Sequence, residues 1–503
     1  MDSSLNAARR ARELAQTADE RLDVLVVGLG ATGAGAALDA ASRGLSVAAV
    51  DAHDLAFGTS RWSSKLIHGG LRYLAKGQVG VAYESAVERG VLLRHTAPHL
   101  VRAHPYVLPL TSGVSRAQAA LVMTGYRLGD GLRAAARTPR RLLPGPTRLT
   151  ASRTRTLAPF LGEDGLRGGL LSWDGRLLDD ARLVVAVART AAAHGARVLT
   201  RCRALELTAT GARVRDELTG AEFTIRARAV INATGVWAGG LDPRVRLRPS
   251  RGTHLVLRAG ALPGLLAGLH VPMPGESNRF ALVLPQADGR VHVGLTDEPV
   301  DGPVPDVPEV PEEDVTALLD VLNAILETPL PREAVAGAYA GLRPLLDADG
   351  DAAGSPGTGT RTADLSRRHA VLADGPLVTV VGGKLTTYRR MAEDAVDQAV
   401  SAGNLQAGPS RTARLPLVGA GPQRADVPPR LAERYGSEAR AVHELVKAHP
   451  EEVGLGVTEG ELLWSVRHEG ALDEGDLLDR RTRIGLVPED RAAALPTARA
   501  LLH

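Results

Sequence analysis

Leu22-Asp23-Val24-Leu25-Val26-Val27-Gly28-Leu29-Gly30-Ala31-Thr32-Gly33 reads as an apolar strand running into a glycine-rich turn. The Ala-rich stretch Ala34 to Arg43 follows with helical character, and Leu45 to Val50 is a second Val-rich strand that ends in Asp51. This β-α-β order predicts a dinucleotide-binding α/β fold, because glycines between a strand and a helix let a pyrophosphate approach free N–H donors at the helix start. Gly28, Gly30 and Gly33 stand at those places, and Asp51 lies 23 residues after Gly28, close to the spacing at which a carboxylate accepts bonds from an adenosine ribose. The turn alone leaves FAD and NAD(P) both open.

Outward from that unit, residues 1–20 read as a polar, partly helical extension without a signal-peptide run, and no segment approaches the roughly 20 apolar residues of a membrane span. Arg197 to Thr208 and Arg213 to Ile231 alternate around Gly211 and Gly220. His254 to Leu257, Arg279 to Leu284 and Val291 to Leu295 predict an antiparallel sheet that forms a separate wall. Residues 350–360 read as a Gly-rich loop, and beyond about residue 415 the pattern turns helical, through Arg430 to His449 and Glu459 to Glu469. A chain of 503 residues exceeds what one core usually supports. The net charge of +3 supports no nucleic-acid footprint. Cys202 is the only cysteine, which excludes an intramolecular disulfide and a multi-cysteine metal site and predicts a reducing, cytoplasmic setting; no metal is expected.

Thr59-Ser60-Arg61-Trp62-Ser63-Ser64-Lys65-Leu66-Ile67-His68-Gly69-Gly70-Leu71-Arg72-Tyr73-Leu74 is too polar and glycine-rich for a core segment. It resembles the signature of the FAD-dependent glycerol-3-phosphate dehydrogenases, in which this segment runs from the cofactor phosphates toward the isoalloxazine ring. Leu178-Asp179-Asp180-Ala181-Arg182-Leu183, Asn232-Ala233-Thr234-Gly235-Val236-Trp237 and Arg251-Gly252-Thr253-His254 resemble the family in the same order. So do Gly341-Leu342-Arg343-Pro344-Leu345, Ser366-Arg367 and Gly382-Gly383-Lys384-Leu385-Thr386-Thr387-Tyr388-Arg389, while Trp464 to Glu469 and Arg480 to Arg483 resemble the family's cap domain. Arg368 stands where the family commonly has an acidic residue.

The resemblance implies a GR2-type FAD-binding Rossmann-like domain assembled from about 21–110, 150–250 and 365–400, a sheet-containing substrate subdomain over about 250–365, and a helical C-terminal domain over 416–503. It implies oxidation of sn-glycerol 3-phosphate to dihydroxyacetone phosphate with FAD as hydride acceptor and a quinone as the next acceptor, on the inner face of the cell membrane; a homodimer is compatible with it. Three rivals stay open: a glycerol-3-phosphate oxidase that uses O₂, an amine or amino-acid oxidase of the same superfamily, and a flavin- or NAD-binding regulatory module.

The expected cofactor contacts are Gly28, Gly30, Ala31, Thr32, Gly33, Asp51, Thr59, Ser60, Ser63, Ser64, Lys65, Leu66, His68, Thr234, Gly235, Gly383, Lys384, Leu385 and Thr386. A phosphate dianion calls for several cationic donors, which the resemblance assigns to Arg72, Arg343, Arg367 and Lys384, with Tyr73 beside them. Removing the hydroxyl proton suits a neutral imidazole, so His68 is the first candidate base and His254 the second; Lys384 also suits the flavin N1 edge. Residues 116–148 hold seven arginines and one aspartate among leucines, which fits either a basic helix at a membrane interface or an amphipathic helix packed on the core; the resemblance favours the membrane.

Overall fold

In the computed structural model, which describes residues 2–70, 73–74, 77–274, 279–347, 368–422 and 426–502, strand β1 (Arg21–Val27) is the centre of an eight-stranded sheet. Arg72, Arg367 and the loop at 350–360 lie outside the described residues. β1 pairs in parallel with β2 (Val47–Val50) on one side and β10 (Glu222–Asn232) on the other. β7 (Arg197–Leu199) extends the sheet beyond β2, and β18 (Leu377–Gly382) with its antiparallel neighbour β17 (His369–Asp374) extends it beyond β10. Val24 and Val26 face a core shared with the helices Ala31–Ser42, Asp180–Ala193 and Tyr388–Ala402, whereas Leu25 and Val27 face a second core beneath β8 (Cys202–Thr208) and β9 (Gly211–Asp216). A parallel strand buried on both faces explains why 22–27 is almost uninterruptedly apolar. The N-terminal extension is not loose: its helix Ala7–Asp19 packs on β7 and β10, with Arg10 bonded to Asp216 at 2.5 Å.

A second, ten-stranded sheet forms the other wall. Its strands are β3 (Leu66–Ile67), β4 (Val101–Pro109), β5 (Thr147–Leu149), β6 (Gly169–Leu177), β11 (Leu247–Leu257), β12 (Gly268–Pro272), β13 (Phe280–Pro285), β14 (Val291–Gly294), β15 (Glu298–Pro299) and β16 (Val335–Leu346). β11, β14, β13 and β12 follow one another antiparallel, as the alternation predicts. β3 to β6, which fall within or beside the segments expected to form the cofactor domain, contribute four of the ten strands of this second sheet. β4 matches β6 without a bulge from Val101↔Leu177 to Pro109↔Gly169, and that nine-pair ladder outweighs any tendency of 101–109 and 169–177 to join the first sheet. The helix Glu312–Asn323 covers the outer face through Val315, Leu318 and Leu322.

Beyond residue 410 the helices Pro429–Tyr435, Ala439–Ala448, Glu459–His468 and Pro488–Ala500 form the C-terminal domain around two small cores. The helix at 459 starts at a reciprocal capping box between Thr458 and Glu461. No helix among the described residues is long and apolar enough to cross a membrane.

Buried imidazoles make the fold acid-sensitive. Burial pushes the His99 pKa down to about 4, and burial reinforced by the nearby Lys65 charge holds His254 and His292 well below the usual value. The unfolded chain takes up the His99 proton near pH 6.5 and the folded one does not, so this stabilisation is complete above about pH 6.5 and is lost as pH falls toward about 4, by roughly 1.4 kcal/mol per pH unit, and His254 and His292 act in the same direction. Asp51, pushed up by burial to about 6, opposes this trend below pH 6. His99→Gln is therefore expected to flatten the pH dependence of unfolding in urea by about 1.4 kcal/mol per pH unit across that window. An unchanged slope would show that His99 is protonated in the folded protein.

Candidate active site

A cavity of about 600 Å³ opens at the carboxyl ends of β1, β10 and β18 and is roofed by β11, β13 and β16. At one end lies the glycine turn. Gly28 has φ +98°, and a Cβ there would sit 2.6 Å from the Ala233 carbonyl oxygen. Gly33 does not reach the cavity; a Cβ on it would stand 1.8 Å from the Gly28 carbonyl oxygen, so its absence is what lets the helix close onto the strand. Gly30 caps that helix, and the Ala31 N–H donates to Ser60 Oγ at 2.9 Å, which joins the turn to the 59–74 segment. Asp51 accepts from the Leu29 N–H at 2.7 Å and from the His53 N–H at 2.8 Å while lining the cavity. Thr234 and Gly235, at φ +61°, line the same region.

The other end is where segments distant in sequence converge. His68 lines the cavity, and its backbone N–H donates to Thr386 Oγ1 at 3.2 Å, which ties the 59–74 segment to the turn at 382–387. Gly382 and Gly383 at φ +78° and +70° swing that turn toward the cavity, where the Lys384 ammonium lies 4.3 Å from the centroid of the Tyr73 ring. The Arg343 guanidinium is held by Asp297 and Ser250 Oγ, both at 3.2 Å, and by the Thr296 carbonyl at 3.2 Å. His254 meets Ser64 Oγ through Nε2 at 2.8 Å and stacks on Tyr339 at 4.8 Å. Its depressed pKa leaves this imidazole neutral at neutral pH.

Thr32, Thr59, Ser60, Ser63, Ser64, Leu66, Tyr73 and Leu385 also line the cavity. Lys65 does not. Its backbone takes φ +55° and its ammonium turns inward to Asp180 at 3.2 Å, to the Arg61 and Ser63 carbonyls at 3.0 Å and to the face of Tyr339 at 4.5 Å. A buried ammonium needs such a counter-charge, and Asp180 supplies it while also accepting from the Ser63 N–H and Oγ–H. Asp180, Asp297, Ser250 and Tyr339 thus support the site, although the sequence does not mark them as site residues. Asp180 lies inside a quoted motif, but the other three carry no signal beyond following or lying within strands.

These residues fit a flavin dinucleotide. The glycine cradle admits a pyrophosphate at the start of a helix, the Asp51 carboxylate lines the cavity at the end of β2, and the cavity continues to a second positive, glycine-lined turn more than 350 positions along the chain. The chain matches the FAD dependent oxidoreductase family over residues 23–389 and the C-terminal domain of alpha-glycerophosphate oxidase over residues 410–503. It is 52% identical over 513 residues to glycerol-3-phosphate dehydrogenase 1 of Mycobacterium tuberculosis, spanning 99% of this chain and 98% of that one. To glycerol-3-phosphate dehydrogenase 2 of the same organism it is 35% identical over 517 residues, spanning 96% and 84%. The fold is similar to that of the glycerol-3-phosphate dehydrogenase from Bacillus halodurans complexed with FAD, at a TM-score of 0.75 and 26% identity over 99% of this chain and 94% of that one. With the glycine cradle, the collinear motifs and the C-terminal cap all in place, the chain belongs to the FAD-dependent glycerol-3-phosphate dehydrogenase family.

Proposed function

We propose that this protein oxidises sn-glycerol 3-phosphate to dihydroxyacetone phosphate and passes the electrons to a membrane quinone. Bound FAD supplies the hydride acceptor. The observation that carries the substrate reading is the Arg343 guanidinium, set into the cavity wall and held by Asp297, Ser250 and the Thr296 carbonyl. A guanidinium fixed before binding meets a phosphate dianion without first losing rotamer freedom. Lys384 adds a second cation lining the same cavity, and His68 serves as the base that takes the hydroxyl proton. Arg72 and Arg367 complete the phosphate site in this reading.

Anaerobic addition of glycerol 3-phosphate to the purified protein is expected to bleach its flavin absorbance, whereas glycine or sarcosine leaves it unchanged; the reverse result would assign the chain to amino-acid oxidation. Arg343→Ala is expected to raise the KM for glycerol 3-phosphate by about 10- to 100-fold with a smaller change in kcat, since each charge-assisted hydrogen bond contributes about 1.5–3 kcal/mol. An unchanged KM in steady-state assays would remove Arg343 from the phosphate site.

The quinone reading draws support from the helix Arg116–Ala135. It packs on the second sheet through Tyr126, whose hydroxyl meets His270 Nδ1 at 2.9 Å, and leaves Leu121 and Leu128 62% and 58% exposed two turns apart on its outer side. Asp130 engages Arg133 and Arg140, while Arg127 within the helix and Arg141 beyond it are exposed. Replacing both leucines by Glu is expected to weaken binding to anionic vesicles by about tenfold or more while leaving turnover with a soluble dye acceptor intact. Equal vesicle binding by both proteins would place the membrane face elsewhere. Peroxide production in air at the rate seen with a quinone analogue would favour the oxidase instead.

A further inference from the structure

We propose that the C-terminal domain is a working part of the FAD site: Arg480 and Arg481 position the 52–58 loop of the cofactor cavity, so that FAD affinity and the docking of that domain are coupled. The inference rests on FAD occupying the cavity described above. The loop leaves β2 at Asp51, contributes Ala52, His53, Phe57 and Gly58 to the cavity wall, and buries the side chains of Asp54 and Leu55 completely. An interior carboxylate is costly unless it is paired. Among the described residues, every hydrogen bond to the Asp54 carboxylate comes from the C-terminal domain: Arg481 donates to its two oxygens at 2.7 and 2.9 Å, and Arg480 to one of them at 2.7 Å. Arg480 also reaches Asp476 at 2.5 Å. Arg201 closes the ring, with its guanidinium on Asp476 at 2.6 Å and its backbone N–H on the His53 carbonyl at 2.7 Å.

The same guanidinium touches the cavity wall. Arg480 lies 5.6 Å from the centroid of the Phe57 ring, and that ring stacks on His53 at 3.8 Å. Between Asp54 and Phe57, Ala56 holds φ 60°, a left-handed backbone that a residue with a Cβ keeps only where its surroundings impose it. Undocking the C-terminal segment would leave Asp54 buried without its donors and would let this strained loop relax, carrying His53 and Phe57 out of the cavity wall. By linkage, FAD bound against His53 and Phe57 must in turn favour the docked segment.

Hydrogen–deuterium exchange of the full-length protein, stripped of FAD and then reloaded, tests this in both directions. FAD is expected to slow exchange at residues 472–487 as well as at the glycine turn, and Arg480→Lys, which cannot span Asp54 and Asp476 together, is expected to weaken FAD binding by about tenfold. Arg430→Met, which breaks the Arg430–Glu461 pair inside the C-terminal domain, should lower Tm without altering FAD affinity. The proposal is overturned if exchange at 472–487 ignores FAD, or if Arg480→Lys binds FAD as tightly as the unaltered protein. Should Arg480→Lys fail to fold, the exchange response of the unaltered chain decides alone. Loss of protection at the glycine turn itself would instead count against FAD occupancy of the cavity.

Discussion

His68→Ala is expected to slow substrate-dependent bleaching of the flavin by about 10²- to 10⁴-fold while leaving the absorbance of the resting enzyme in place, the usual loss when a positioned general base is removed. Three histidines line the cavity; His53 is stacked on Phe57, and the surroundings of His68 and His254 differ. His68 is fixed through its backbone on Thr386, at the junction of the 59–74 segment with the turn that carries Lys384. His254 is almost fully buried, engages Ser64 through Nε2 and stacks on Tyr339, so its ring is more deeply committed to the wall. His254→Ala should therefore cost mainly stability, with a smaller loss in the reductive half-reaction. Anaerobic stopped flow separates the two. Bleaching at the unaltered rate in His68→Ala, together with collapse of the rate in His254→Ala at equal FAD content, would reverse the assignment.

Gly33→Ala is expected to yield protein with little or no flavin. The added methyl would meet the Gly28 carbonyl oxygen at 1.8 Å, and that oxygen belongs to backbone, which cannot swing aside as a flexible side chain would. Relief requires the helix Ala31–Ser42 to lift from β1, which withdraws its N-terminus from the pyrophosphate position. Overpacking of this kind costs about 3 kcal/mol, on the order of a hundredfold in FAD affinity. The ratio of flavin to protein absorbance, read beside a far-ultraviolet circular dichroism spectrum, distinguishes loss of cofactor from loss of fold. A folded, fully yellow Gly33→Ala protein would mean that the helix tolerates the shift. Gly44, at φ +90° with open space around it, provides the contrast: Gly44→Ala strains the backbone but should leave FAD affinity unchanged.

Much of the site was legible because its signals are local. Gly28 and Gly382 at positive φ, the apolar run feeding the first turn, and the His68 segment each express a constraint that operates within a few residues, and their order along the chain matched a family. Lys65 shows where that reading ends. Its motif predicts a cofactor contact, yet its own left-handed backbone points the ammonium at Asp180, 115 positions away.

The amino-acid sequence by itself determined the dinucleotide-binding β-α-β unit, the flavin family, the antiparallel wall from β11 to β14 and the helical cap, since strand alternation, glycine conformation and motif spacing depend on near neighbours. Only the tertiary structure decided that β4 and β6 belong to the substrate wall, that Asp297 and Ser250 hold Arg343, and that Asp54 is neutralised by Arg480 and Arg481. The physical reason is common to all three. Strand register and the pairing of buried charges are settled by which surfaces close against each other, and a carboxylate has no local preference for an arginine more than 400 residues away.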